Sequence, residues 1–406
     1  MFFKTLLRTC IVLGVLFIMQ YSFAQERNIL KPDEKSPGQN IGIDVTPYTS
    51  FKVGGAIWLR SSFQDWEQDN SANRRGSYFD QFRLSVSGEH GMKKGEGAKL
   101  KFSAQARWWS YMFAMQHMWV GIQFNENHEL LYGISQAPFG ALPSVSSSFW
   151  YSLNYYHGLE GDHDTGFQYI YKNKGNHFHA AYFRNEEYND PTATNRWAPD
   201  LVVSGDQQNF ERHQVNLRYA KVFGYGTTKT TEFGVSGQWG QIRNPLKDGN
   251  GNHWAAAFHY VGNYNDWNFN FQATRYEYDP NNPDSVDDRT VLMGFFSDTR
   301  LVASKATTYV ANVRRFWDIE WWLFDKLNVY MEYSTVIKDE DTFHDSRMIN
   351  PGAVLQAGPF YIWFDMLFGQ NAWWMNDNFD NSGPGAGSVN PDKWELRGNL
   401  SVQWYF

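Results

Sequence analysis

Seven charged side chains carry the sharpest chemistry in this chain. Four are arginines, Arg60, Arg83, Arg107 and Arg397, each on the polar side of a segment that alternates polar and apolar residues. Three are carboxylates, Glu160, Asp162 and Asp164, gathered in the stretch Gly158-Leu159-Glu160-Gly161-Asp162-His163-Asp164-Thr165-Gly166. Guanidinium groups facing carboxylates across a wet gap set a transverse field. Rings of charged side chains select ions in this way. The plainer reading pairs each arginine with a carboxylate of its own wall, such as Glu395, and gives the acids to turns, where Asp is common. Both readings stay open on the sequence.

Signals for other chemistry are weak. His177 and His179 share a strand face, as metal ligands can, but histidines at such positions more often line an interior or an interface. His157 and His163 flank the acids without the spacing of a metalloprotease helix. There is no phosphate-cradling Gly-x-x-x-x-Gly-Lys loop, and no pattern for nucleic-acid binding. Asp339-Glu340-Asp341 and the acids of 284–288 read as solvated loop charges, with calcium or lipopolysaccharide-bridging cations as an alternative. The expectation is a chain that is not an enzyme and has no cofactor and no metal site.

The elements that position these residues are strands. Leu100, Phe102, Ala104, Ala106 and Trp108 oppose Lys99, Lys101, Ser103, Gln105 and Arg107 in steps of two. Val215, Leu217 and Tyr219 oppose Gln214, Asn216 and Arg218. This is the period of a β-strand with one apolar face. Sixteen such segments follow one another at 53–63, 78–89, 98–109, 113–124, 128–136, 164–173, 176–186, 211–222, 230–242, 253–263, 266–278, 304–316, 326–338, 347–357, 359–371 and 393–406. Residues 290–302 are assigned to a long loop, which keeps the count even and the connections regular. Short links such as Lys174-Gly175-Asn176 alternate with long ones such as 64–77, 137–163, 187–210, 280–303 and 373–392. Short turns at one end and long loops at the other are the asymmetry of closed transmembrane barrels.

Composition agrees. Aromatics reach 18% while mean hydropathy is −0.56, and no stretch beyond the amino terminus approaches the ~18 apolar residues of a membrane helix. Lys4 and Arg8 before the apolar run 11–19, then Ser22-Phe23-Ala24, read as a signal peptide over 1–24. Cys10, the only cysteine, lies within it, so no disulfide is expected. Residues 25–50, with Pro32, Pro37 and Pro47, read as an extended periplasmic lead-in, and 51–406 as an outer-membrane β-barrel. In the last strand Trp394, Leu396, Leu400, Val402, Trp404 and Phe406 share one face, and the chain ends on an aromatic residue. That ending resembles the assembly signal of bacterial outer-membrane barrels.

A narrower resemblance rests on the end of the fifth strand and the loop after it. Gln136-Ala137-Pro138-Phe139-Gly140, the aromatic tract Phe149-Trp150-Tyr151-Ser152-Leu153-Asn154-Tyr155-Tyr156-His157 and the Gly-Leu-Glu-x-Asp-x-Asp stretch resemble porins of the phosphate-selective O/P type and related porins of Bacteroidetes. The resemblance implies an all-β transmembrane antiparallel barrel of about 16 strands, with the loop after strand 5 folded inward as a constriction. It implies a homotrimer in the bacterial outer membrane, in contact with lipid and lipopolysaccharide. The expected function is passive diffusion of small polar solutes or ions, with anions such as phosphate among the candidates. The competing expectation is a non-conducting barrel that serves as a structural or secretion-complex subunit.

Overall fold

The structure is a computed structural model that describes residues 41–65, 76–372, 375 and 393–406. The expected signal peptide, most of the lead-in and the outer connections at 66–75 and 376–392 lie outside the described residues.

Sixteen antiparallel strands close into one barrel. They are β1 (Thr49–Gln64), β2 (Gly76–Gly91), β3 (Lys99–Trp108), β4 (Phe113–Asn125), β5 (His128–Gln136) and β6 (His163–Asn173). Next come β7 (Asn176–Glu186), β8 (Phe210–Phe223), β9 (Lys229–Arg243), β10 (Asn250–Tyr264) and β11 (Trp267–Asp279). The ring is completed by β12 (Lys305–Trp321), β13 (Phe324–Lys338), β14 (Ser346–Ala357), β15 (Phe360–Gln370) and β16 (Glu395–Tyr405). Each strand pairs with its neighbours in sequence, and β1 closes on β16 from Ala56 opposite Tyr405 to Gln64 opposite Arg397. Closure satisfies the backbone donors and acceptors of both would-be edges, as a hydrocarbon surround requires.

The period of two decides which side faces out. In β8, Val215, Leu217 and Tyr219 are 42%, 52% and 45% exposed, while Asn216 and Arg218 between them are buried. Trp394 just before β16 and Leu400 and Trp404 within it are exposed, while Glu395, Arg397, Asn399, Ser401 and Gln403 point inward and are buried. The outer surface is therefore a band of large apolar side chains, which places the barrel across a membrane. No helix among the described residues is long and apolar enough to cross one. At one end the turns are tight. Lys174 and Gly175 both take positive φ, 45° and 78°, as a two-residue turn between right-twisted strands demands.

Two features differ from the sequence reading. Within the stretch read as lead-in, Ile41–Thr46 forms a short strand paired with the start of β1, Ile41 opposite Val53. The strand β1 itself begins at Thr49. β16 pairs with β1 only from Ala56 onward, so the first residues of β1 present a free edge, and an alternating segment takes it. Second, 290–302 is outside the barrel ring, as the loop assignment requires, yet it is ordered. Thr290–Phe295 and Asp298–Ala303 form a hairpin, and Asp200–Leu201 adds a third strand.

That small sheet packs into the mouth at the long-loop end. Leu153, Tyr155 and Leu159 of the segment after β5, Trp197 of 187–209 and Met293 and Phe295 of the hairpin form one buried apolar cluster with Tyr276 and Tyr278 of β11. A polar, water-filled interior is the sequence expectation. Here the upper interior holds a cluster of apolar loop side chains supported on the wall.

Candidate functional site

The segment 137–162, between β5 and β6, turns into the barrel and runs along its inner wall. Gly140 donates its N–H to Ser236 of β9 (2.9 Å) and Ala141 donates to Gln272 of β11 (3.0 Å). Arg218 of β8 donates from Nε to the Gly140 carbonyl (2.6 Å). Asn270 of β11 donates to the Val145 carbonyl (3.0 Å), and the Ser147 hydroxyl donates to Asn312 of β12 (2.8 Å). Phe149 N–H reaches Asp365 of β15 (3.3 Å). The loop thus follows the wall from β8 to β15, with its buried polar backbone satisfied by wall side chains.

Serines are the fasteners. Glu332 of β13 accepts from the hydroxyls of Ser146 (2.8 and 2.9 Å) and Ser148 (3.0 Å) and from the Ser147 N–H (2.6 Å). Glu160 accepts from the Ser146 N–H (2.8 Å) and from the hydroxyls of Ser144 and Ser152. Two buried carboxylates are thereby solvated by one serine tract, which is how a buried acid is accommodated. Burial pushes the Glu160 carboxyl up from its ordinary value, and its serine donors oppose the shift. Glu160 faces the loop's own serines.

The four arginines are brought together along β1, β2, β3 and β16. Arg83 and Arg107 stand directly opposite each other across the β2–β3 ladder. Arg60 forms an ion pair with Asp80 on β2. Each guanidinium also lies over an aromatic ring. Arg397 is 4.3 Å and Arg60 4.9 Å from the Trp150 ring centre. Arg83 is 4.8 Å from Trp58, and Arg107 is 4.0 Å from Trp197. Arg83, Arg107 and Arg397 are buried, and Arg60 nearly so. A cation over an aromatic face, held out of water, is stabilised by about 2 kcal/mol. Arginine suits this because its flat, weakly hydrated head stacks where a lysine ammonium would keep its water.

The remaining predicted residues lie at the foot of the loop. Asp162 accepts from the His163 N–H (2.8 Å), and Asp164, in β6, accepts from Gln214 of β8 (3.0 Å). Both are buried, and both stand with Asp200 from the 187–209 segment. His177 and His179 point inward, His177 beside Glu232 (3.7 Å) and His179 against Gln168 (3.5 Å).

Sequence reasoning missed the partners. Trp150 and Trp197 receive the arginines, yet Trp150 read only as a member of an aromatic tract and Trp197 only as part of the long link 187–210. Glu332 and Asp365 were legible in principle. Each is a charged residue on the inward phase of a strand whose outward phase is apolar (Val329, Met331 and Tyr333; Phe364).

No protein-family model matches the chain, and no curated protein matches it in sequence. Solved structures do match in shape. The outer membrane channel DcaP of Acinetobacter baumannii superposes with a TM-score of 0.59 at 11% identity, over 90% of this chain and 99% of that one. An anion-selective porin from Comamonas acidovorans gives 0.57 at 12%, over 88% and 100%. OmpF of Salmonella typhi gives 0.57 at 11%, over 90% and 100%. The chain has the fold of the outer-membrane porins. At this level of identity the likeness is one of fold alone.

Proposed function

We propose that this barrel sits in the bacterial outer membrane as a porin, a passive channel for small polar solutes or ions, with anions favoured. The observation that carries the reading is the inward loop after β5, laid along β8 to β15, with its tip residue Trp150 against Arg60 and Arg397. A loop held by wall side chains at this position narrows a barrel. The arginines of β1, β2, β3 and β16 then give the narrow zone a positive potential, which raises the local concentration of anions. Phosphate fits the resemblance of the 136–166 stretch to the phosphate-selective type, and a homotrimer fits the trimer form of the Vibrio cholerae outer membrane protein OmpT, a barrel of similar shape. The surrounding lipid and lipopolysaccharide would contact the apolar band.

One observation favours the second reading, a non-conducting barrel with a structural role. The inward residues at the loop's height, among them Arg83, Ser334, Asn350 and Ser401, are almost fully buried. Planar-bilayer recording of the purified protein separates the two. Stepped conductance with an anion-favouring reversal potential under a salt gradient is expected for the porin. Electrical silence of correctly folded protein would establish the structural barrel instead.

A further inference from the structure

At the outer ends of β6 to β8 the loops bury an acidic knot. Asp162 lies at the foot of the inward loop, Asp164 opens β6, and Asp200 comes from the 187–209 segment. One carboxylate oxygen from each lies within 4.8 Å of the other two. Two oxygens that each bind a calcium ion at about 2.4 Å are at most about 4.8 Å apart, so the three could share one ion. All three residues are buried, at 8%, 4% and 3% exposure.

A fourth carboxylate supplies the independent sign of a ligand. Glu187 is 4% exposed, and neither of its carboxylate oxygens has a hydrogen-bond partner. Its carboxylate and that of Asp200 stand at one and the same nitrogen, Nη1 of Arg196, so it is directed into the same knot. The cation nearest to it is Arg196, whose guanidinium is 3.9 Å from Glu187 and 3.0 Å from Asp200. One guanidinium cannot balance four buried carboxylates. An unpaired buried carboxylate costs several kcal/mol unless a proton or a metal joins it. Remaining ligand capacity is donated by oxygen alone, which suits a hard cation and not zinc.

We propose that Asp162, Asp164 and Asp200, with the negative charge of Glu187 beside them, bind one divalent cation of the calcium type. The ion would clamp the foot of the inward loop to the 187–209 segment and so hold both loops in the mouth.

The test uses the whole barrel, folded in detergent, stripped with EDTA and titrated with calcium chloride while thermal unfolding is followed. Folding of every sample is first verified by heat-dependent gel mobility. The wild type should show a saturable rise in unfolding temperature with calcium, and a smaller one with magnesium at equal concentration. In Asp200→Asn the calcium concentration at half-effect should rise by at least about tenfold, since affinity follows the charge count of the ligands. Glu340→Gln, in the exposed acidic loop, should respond like the wild type. No calcium response in the folded wild type would overturn the proposal, as would an equal response in Asp200→Asn. If Asp200→Asn fails to fold, Glu187→Gln is read by the same criteria. Conductance plays no part in the readout, so a silent barrel leaves this result interpretable.

Discussion

Arg60 and Arg397, on the two strands that close the barrel, lie against one indole, that of Trp150, at 4.9 and 4.3 Å. The residues are distant in sequence and adjacent in space because β1 pairs with β16. Phe149 beside Trp150 also meets Arg60 at 4.9 Å, so the loop tip is fixed at the seam.

Trp150→Ala should therefore loosen the tip while leaving the barrel folded. It removes two cation–aromatic contacts, each worth about 0.5–2 kcal/mol, and a large side chain from the narrow zone. Single-channel conductance should rise and become noisier, and Trp150→Phe should restore most of the quiet state. Conductance identical to wild type in Trp150→Ala would mean that the tip does not control the passage.

The outward and inward phases of β8 make a second expectation. Leu217 is half exposed on the apolar band, whereas Asn216 is wholly buried and donates to Gln238 (3.3 Å). Leu217→Arg should lower outer-membrane assembly, because arginine facing lipid near the midplane costs about 2–4 kcal/mol. The inward control is Asn216→Asp, which alters charge without volume in a filled site. Levels of heat-modifiable protein in membranes should fall for the first and hold for the second.

The strands were legible because their two-residue period survives in nearly every one, and closure followed from their even number. The seam was legible too. Arg60, Arg83, Arg107 and Arg397 share the polar phase, and closure makes their strands neighbours. What the sequence hid were contacts between segments that only the closed ring brings together. Ser146 and Ser148 look like ordinary loop serines until β13 sets Glu332 beneath them. Asp200 gives no local sign that it will meet Asp162 and Asp164. The hairpin at 290–303 reads as loop because a seventeenth strand would break the ring, and the ring does exclude it.

His157 should make the inward loop sensitive to acid. Its ring donates from Nδ1 to the Leu153 carbonyl (2.8 Å) and is buried. Burial, together with the nearby charge of Lys338 and against the Leu153 bond, holds its pKa down at about 4. A depressed folded pKa means that the unfolded loop binds the extra proton first. The stabilising contribution is then present above about pH 6.5 and lost as pH falls through about 4. The full effect is at most about 3 kcal/mol. Glu160, shifted upward, acts in the opposite sense and tempers it. Protease cleavage within 137–162 should rise between pH 7 and pH 5, and His157→Gln should flatten that rise. A pH-independent cleavage rate in the wild type would sink the expectation.

The last expectation concerns charge. Arg83 and Arg107 face each other across one ladder, stacked on Trp58 and Trp197. If they set the potential of the narrow zone, neutralising both to Gln should move the reversal potential under a salt gradient toward cations. The shift should be large at 0.1 M salt, where the Debye length is about 10 Å, and small at 1 M, where it is about 3 Å. Neutralising Glu160 is a different perturbation. It weakens the serine anchorage of the loop, so its main effect should be on conductance and noise. Reversal potential is the decisive readout, because conductance also changes with side-chain volume. Wild-type selectivity at low salt in the double arginine variant would remove these residues from the filter and leave them as stacked struts between the wall and the loops.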